Sequence, residues 1–238
     1  MNVFQSLSHR KKWVLTFVLI VLSLSFICAA DYTIDSFDTT ITVIETGYYD
    51  INERVSLTFN TPKHGFYRSL PISFQIDEEG EMLKARVTKI HTSDETDIHR
   101  SSQDVTIRLG SADRTVIGTH DYSIRYRYDI GEDRFEDFDE FYFNIIGVDW
   151  AEPIEETSFI IQFPSPIDKS NISFTRGLYG SVGDEGVRWT LDSTKKIITG
   201  TVDTLAPGEA VTVRVELEEG YYSKRPNYQM IIAPLALL

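Results

Sequence analysis

Cysteine and basic residues are scarce in this sequence, and each shortage excludes a class of protein. One Cys stands among 238 residues, and 36 acidic side chains outnumber 23 basic ones, for a formal net charge of −13. One Cys can build neither a disulfide framework nor a cysteine-based zinc or iron–sulfur site. The acidic balance excludes a general nucleic-acid binder, because such a protein needs a basic surface.

Catalytic signatures are missing as well. The sequence has no Gly-x-Ser-x-Gly elbow, no His-Glu-x-x-His pair, no phosphate-binding Gly-Lys-Ser/Thr loop and no dinucleotide fingerprint. Glycoside hydrolysis needs two facing carboxylates, and a chain this acidic always has some pair of acids close together. No spacing singles out such a pair. We therefore expect a non-catalytic protein that uses no cofactor.

The first 30 residues have the organisation of a secretory signal peptide. A cationic head at 9–12 precedes an uncharged run from Trp13 to Ala30, which ends in small side chains directly before Asp31. This order predicts cleavage between Ala30 and Asp31. The run is long enough for a short membrane-spanning helix, so an uncleaved N-terminal anchor helix is the alternative. In both cases we expect the remaining chain to be exported, either to the extracytoplasmic face of the cell membrane or as a secreted protein.

From Tyr32 onward the sequence has the two-residue period of half-buried β-strands. Apolar side chains alternate with polar ones between Ile51 and Phe59, where Glu53 shares the apolar face, and between Tyr122 and Ile130. Further candidate strands are Ile34–Ile44, Ile72–Ile76, Leu83–Thr92, Val105–Leu109, Thr157–Phe163, Val187–Leu191, Ile197–Val202 and Ala210–Leu217. About ten short strands separated by Gly, Pro and Asp turns predict an all-β fold, an antiparallel β-sandwich.

The predicted domain covers residues 31–220. Two packed β subdomains are one interpretation, with halves at 31–150 and 151–219. The natural seams are the segment Gly131–Phe143 and the prolines 164 and 166. A single domain of about 200 residues hides roughly 70 % of its unfolded surface, so burial alone can stabilise it without disulfides.

Segment 221–238 is predicted to be a juxtamembrane tail. Aromatic and basic side chains at 221–225 precede the apolar run Met230–Leu238, which is the order of an interfacial anchor. That run is shorter than the roughly 20 residues that a membrane-spanning helix needs. We interpret it as a truncated transmembrane stub, and a tail that folds back on the domain is the alternative.

Several motifs resemble a known family. They are Ile34–Asp38, His64–Pro71, Tyr122–Tyr126, Asp139–Trp150, Pro153-Ile154 and Phe163-Pro164. Together they resemble the N-terminal domain of the YciQ-like predicted membrane proteins of bacteria, whose molecular function is uncharacterised. The resemblance implies a signal sequence and an extracytoplasmic β domain, followed by membrane spans and a cytoplasmic tail.

The segment after the second predicted strand supplies the first candidate site. Arg68 would bind a carboxylate or phosphate through bidentate hydrogen bonds, and His64 or Tyr67 would add further hydrogen bonds. The structural alternative, which we favour, is that Arg68 pairs inside the protein with Asp139 or Glu140.

The acidic segment Gly131–Glu140 is the second candidate. It contains six acids in ten residues, and Asp137, Asp139 and Glu140 would be the ligands of a Ca²⁺ ion. The spacing is not that of an EF-hand, and acid clusters in an acidic protein usually form solvated loops. We therefore expect no metal here.

Asn144 and Trp150 allow two interpretations. In the structural one, Asn144 bridges backbone groups at a bend and Trp150 fills the core. In the other, Trp150 stacks on a sugar ring while Asn144 reads hydroxyl groups. We predict a non-catalytic extracytoplasmic domain of a membrane-associated envelope protein, which recognises a partner protein or an envelope polymer through its loops. The alternative is a secreted β-sandwich that binds or hydrolyses glycans.

Overall fold

The computed structural model describes residues 31–75, 82–131 and 137–223. The predicted leader at 1–30 and the tail from residue 224 onward lie outside these ranges. Within them the chain forms fifteen strands and one 3₁₀ turn at Lys169–Asn171. The strands are β1 (Tyr32–Val43), β2 (Tyr48–Lys63), β3 (Phe66–Pro71), β4 (Ser73–Gln75), β5 (Met82–Lys84), β6 (Arg86–Thr92), β7 (Thr96–Arg100), β8 (Asp104–Leu109), β9 (Val116–Asp129), β10 (Phe138–Ile146), β11 (Ile154–Gln162), β12 (Ile172–Gly177), β13 (Val187–Leu191), β14 (Ile197–Val202) and β15 (Ala210–Glu218). No helix in the described ranges has the length and apolarity needed to span a membrane.

Seven strands form one long sheet in the order β13-β14-β11-β1-β2-β9-β6. Two three-stranded sheets, β10-β15-β12 and β3-β8-β7, pack against one face of the long sheet, and β4 pairs with β5. Aromatic pairs join the layers, such as Tyr49 with Phe141 and Phe66 with Tyr122, both at 4.8 Å between ring centroids. The predicted all-β fold is confirmed.

One strand pair departs from the antiparallel prediction. β1 runs parallel to β11, with Ile34 opposite Ile154 and Thr42 opposite Gln162. Two-residue alternation shows which face of a strand is buried, but it carries no information on the direction of the neighbouring strand. β11, β14 and β13 thereby extend the sheet that β1 and β2 begin, while β10 pairs with β15 in the other layer.

The two strands with the clearest alternation lie near the middle of the long sheet. In β2 every second side chain from Tyr49 to Phe59 is buried, and in β9 the same holds from Tyr122 to Tyr128. The opposite faces of both strands are polar and reach solvent. The inward series of β2 contains one charged residue, Glu53, whose side chain is fully buried.

Candidate functional site

Arg68 lies on β3 and points into the interior of the sandwich. Its Nε donates to Glu53 Oε2 at 2.8 Å, and its Nη2 donates to Oε1 of the same carboxylate at 2.7 Å. The expectation that Arg68 pairs with Asp139 or Glu140 is therefore wrong. A carboxylate at an inward position of β2 requires a buried cation, and β3 supplies that cation from the facing layer.

A shell of aromatic residues encloses this ion pair. Tyr126 donates its hydroxyl to Glu53 Oε1 at 2.7 Å, and the ring centroids of Trp150 and Phe37 lie 5.6 Å and 5.8 Å from the guanidinium carbon. Burial works against the charged form of Arg68, but the charge and hydrogen bonds of Glu53 outweigh it and raise the pKa of Arg68. Burial, together with the Glu53 carboxylate, also raises the pKa of Tyr126. The group is consequently a structural ion pair that no ligand reaches.

Trp150 belongs to the same buried cluster. It packs edge-on against Phe37 at 5.3 Å and stacks with Phe66 at 6.3 Å, and it is 6 % exposed. A sugar platform needs an open ring face, so the interpretation of Trp150 as a platform is wrong. Asn144 lies on the solvent side of β10, where its Oδ1 accepts a hydrogen bond from Thr212 Oγ1 at 2.7 Å. The structure thus keeps Asn144 and Trp150 apart.

His64 and Tyr67 are exposed but face away from the buried Arg68. Tyr67 is 67 % exposed on the other side of β3. Nδ1 of His64 lies 3.1 Å from the carbonyl oxygen of Ser111 and 3.2 Å from that of Arg114. The adjacent Gly65 packs directly against the end of β8, where a Cβ would stand 1.7 Å from the Leu109 carbonyl oxygen. His64 is therefore held against a neighbouring loop.

The three candidate Ca²⁺ ligands do not converge. Asp139 is buried and accepts a hydrogen bond from the backbone N–H of Tyr222 at 2.8 Å, while Glu140 binds the guanidinium of Arg214. Consecutive residues of a strand point to opposite faces, so Asp139 and Glu140 cannot share one ion. Residues 132–136 of this acidic segment lie outside the described ranges. Elsewhere in the described chain no group of three His, Cys, Asp or Glu side chains is placed to hold a metal.

The solvent-facing side of the long sheet carries an open groove of about 430 Å³, which we call the outer groove. Side chains from β1, β2, β6 and β9 line it: Thr40, Thr42, Asp50, Asn52, Lys89, His91, Arg125 and Arg127. They form two cross-strand rows. Thr40, Asn52, Arg125 and His91 are successive neighbours in one row, and Thr42, Asp50 and Arg127 are successive neighbours in the next.

One pair in the outer groove is fixed internally. Arg127 donates from Nε and Nη2 to the two carboxylate oxygens of Asp50, both at 2.6 Å, and its guanidinium lies over the ring of Tyr48. The hydrogen bond from Arg127 lowers the pKa of Asp50. Arg125, His91, Lys89 and Asn52 differ, because their side chains make no hydrogen bond or ion pair within the described residues.

A β-bulge places two of these free groups. Between Thr88 and His91 the register of β6 against β9 shifts, and Lys89 adopts a φ of 53°. Val87 and Ile90 both pack on the core although they are three residues apart, which strict alternation forbids. The extra residue in the bulge shifts the inward–outward alternation by one position, so that Val87 and Ile90 both face the core while Lys89 and His91 are both exposed. The predicted strand Leu83–Thr92 lacks this bulge, and the spacing of Val87 and Ile90 was the signal for it.

These features define a two-layer β-sandwich domain with a buried ion pair and an open polar groove on its long sheet. The chain belongs to the family described as the N-terminal domain of a predicted membrane protein (DUF2207), whose model matches residues 33–217. The expected relationship to the N-terminal domain of a predicted membrane-protein family is thereby confirmed. The comparison with curated proteins gives no match.

Solved structures show a more distant likeness. A Parabacteroides distasonis protein described as a protease is 12 % identical, with a TM-score of 0.43 over 79 % of this chain and 41 % of its own. An M1 zinc metallopeptidase of Deinococcus radiodurans is 11 % identical, with a TM-score of 0.38 over 77 % of this chain and 42 % of its own. Leukotriene A4 hydrolase of Saccharomyces cerevisiae is 10 % identical, with a TM-score of 0.44 over 78 % of this chain and 29 % of its own. The chain spans less than half the length of each, and a likeness of this degree assigns no activity to it.

Proposed function

We propose that this chain is a non-catalytic, extracytoplasmic binding domain of a membrane protein, and that the outer groove is its ligand-binding surface. One observation carries the proposal: four polar or charged side chains line one groove and make no hydrogen bond or ion pair within the described residues. Two polar pairs elsewhere on the same sheet face are satisfied internally. Ser56 donates to Asp121 at 2.7 Å, and the hydroxyls of Thr58 and Thr119 lie 2.9 Å apart.

The strands behind the outer groove favour tight binding. β2 and β9 lie inside the long sheet, and their opposite faces are buried in the core. A rigid backbone of this kind fixes where each groove side chain begins, so ligand binding requires no rearrangement of the strands. A binding surface on regular strands also needs no loop to close over it.

The extracytoplasmic location rests on the leader-like residues 1–30 together with the membrane-protein family. We propose attachment to the membrane through the leader or the C-terminal segment, with a partner protein or an envelope polymer as ligand.

Because Arg68 is buried, we place the proposed binding surface on the long sheet and not on the loops. Glycan hydrolysis has little support, because the outer groove holds one carboxylate, Asp50, and Arg127 occupies it. Glycan binding without hydrolysis is compatible with the same groove.

The test is a binding screen of the full chain in a mild detergent against an array of envelope polymers and glycans. Asn52→Trp fills the centre of the outer groove, whereas Ser56→Trp places the same bulk on the same face of β2 outside it. We expect ligands of the wild type to be lost by Asn52→Trp and retained by Ser56→Trp. Equal binding by both variants would place the ligand elsewhere and refute the groove as the binding surface.

A further inference from the structure

We propose that the ligand of the outer groove is an anionic carbohydrate polymer, whose carboxylate or phosphate groups bind Lys89, His91 and Arg125. This inference rests on the proposed function and names the chemical class of its ligand. Asn52 and Thr40 lie next to Arg125 in the same cross-strand row, where they can bond to sugar hydroxyls.

The charge of the outer groove opposes that of the chain. Three cationic side chains line it against the single carboxylate of Asp50, which Arg127 already binds, whereas the whole chain carries −13. Arg125 therefore has no counter-charge within ion-pair distance in the described residues, and Lys89 has only the longer-range attraction of Asp50. Because acidic surfaces elsewhere repel anions, an anionic ligand is drawn to the place where cations are in excess.

The types of the free groups match an acidic ligand. The planar guanidinium of Arg125 can donate bidentate hydrogen bonds to a carboxylate or a phosphate. The bulge turns the Lys89 amine and the His91 ring to the same face, one strand away from Arg125. Three donors from two adjacent strands thus line the same groove, while Asn52 and Thr40 continue the row across β2 and β1.

The neutral half of the row favours a carbohydrate over a bare anion. A free inorganic anion would use the Arg125 end alone and leave Asn52 and Thr40 without partners. A sugar acid or a sugar phosphate carries hydroxyl groups beside its charged group and can occupy both halves. The groove volume of about 430 Å³ is within the range of small-ligand sites.

Two variants remove the charges with little risk to folding. Lys89→Gly deletes the amine, and glycine adopts a positive φ without strain. Lys195→Gly is the matched control, since Lys195 also has a positive φ, of 56°, and lies in the turn between β13 and β14. Arg125→Gln removes the guanidinium from an exposed position and keeps a polar side chain.

The experiment is isothermal titration calorimetry of the full chain at low salt with three probes: oligogalacturonate, oligo(glycerol phosphate) and dextran. We expect at least one anionic probe to bind at least about tenfold more tightly than neutral dextran. Lys89→Gly and Arg125→Gln should each weaken that binding by at least about tenfold, while Lys195→Gly leaves it unchanged. The tighter of the two anionic probes identifies the acid group as carboxylate or phosphate.

The outcomes separate this inference from the proposed function. Dextran binding as tight as that of the acidic probes, if abolished by Asn52→Trp, would overturn the anion preference and keep the groove as a binding surface. Anion binding that Asn52→Trp leaves intact would overturn both. If no probe binds, anionic carbohydrate is the wrong ligand class, and the polymer array decides separately on the groove.

Discussion

Replacing Arg68 by Met removes the cation that faces the fully buried carboxylate of Glu53. The carboxylate then keeps the hydroxyl of Tyr126 as a side-chain donor and loses its counter-charge in the buried interior. Breaking a buried ion pair in this way typically costs about 3–5 kcal/mol of unfolding free energy. For a domain of this size each kcal/mol corresponds to about 2–4 °C in Tm, so we expect Arg68→Met to lower Tm by about 6–20 °C.

Urea unfolding followed by tryptophan fluorescence measures this loss directly, because Trp150 packs against the ion pair. Arg54→Met is the matched control. Arg54 is the neighbour of Glu53 on β2, but it is exposed and makes no ion pair within the described residues. Its replacement should change the unfolding free energy by no more than about 0.5 kcal/mol.

A double variant separates the uncompensated charge from lost packing. Glu53→Gln combined with Arg68→Met removes both charges while leaving an acceptor for Tyr126. We expect it to be more stable than Arg68→Met by at least about 1 kcal/mol, since no charge then remains buried alone. A loss below about 1 kcal/mol for Arg68→Met, or a double variant no better than the single one, would refute the reasoning.

Three further predictions concern other parts of the chain. Lys89→Gly and Lys195→Gly should each raise the unfolding free energy by up to about 1 kcal/mol in urea titrations, because glycine relieves a left-handed backbone; destabilisation by both would contradict this. Hydrogen bonds, chiefly from the Thr194 hydroxyl, lower the pKa of Asp192 from 3.8 to about 2. The stabilisation that the ionised Asp192 provides is thus present above pH 3.8 and lost as the pH falls toward 2. The difference in Tm between wild type and Asp192→Asn should therefore narrow between pH 3.8 and 2. A Tm difference that stays constant over this range would contradict the prediction. Export predicts a mature chain that begins at Asp31, which intact-mass analysis reads directly; a retained leader would exclude cleavage.

The strands and their buried faces were predictable because the alternation is local. The structure buries the predicted series of β2 from Ile51 to Phe59 and that of β9 from Tyr122 to Tyr128, and only Ile130, just after β9, is half-buried. Strand partners depend instead on where the chain returns in space. The parallel pairing of β1 with β11 joins segments about 120 residues apart, and no local pattern encodes it.

The site was harder to predict, for the same reason. The outer groove draws its side chains from four strands spread over β1 to β9, and none of its residues forms a local motif. Arg68 shares a short local motif with His64 and Tyr67, although its partner, Glu53, lies in the core. The better signal was Glu53 at an inward position, because a buried carboxylate demands a cation or a set of donors.

In β2 and β9, residues of the buried cluster around the ion pair and residues of the outer groove occupy opposite faces. In β2, Glu53 points inward while its neighbour Asn52 points outward, and in β9 Tyr126 points inward between Arg125 and Arg127. Because the two faces are chemically independent at the level of side chains, charges on the outer face can be removed without touching the buried pair. Arg125→Gln should therefore change ligand affinity and leave Tm unchanged, whereas Arg68→Met should lower Tm and, in the molecules that remain folded, preserve the donors of the groove. If Arg125→Gln lowers both the ligand affinity and Tm, the outer face contributes to folding. That result would remove the basis for assigning this face as a binding surface.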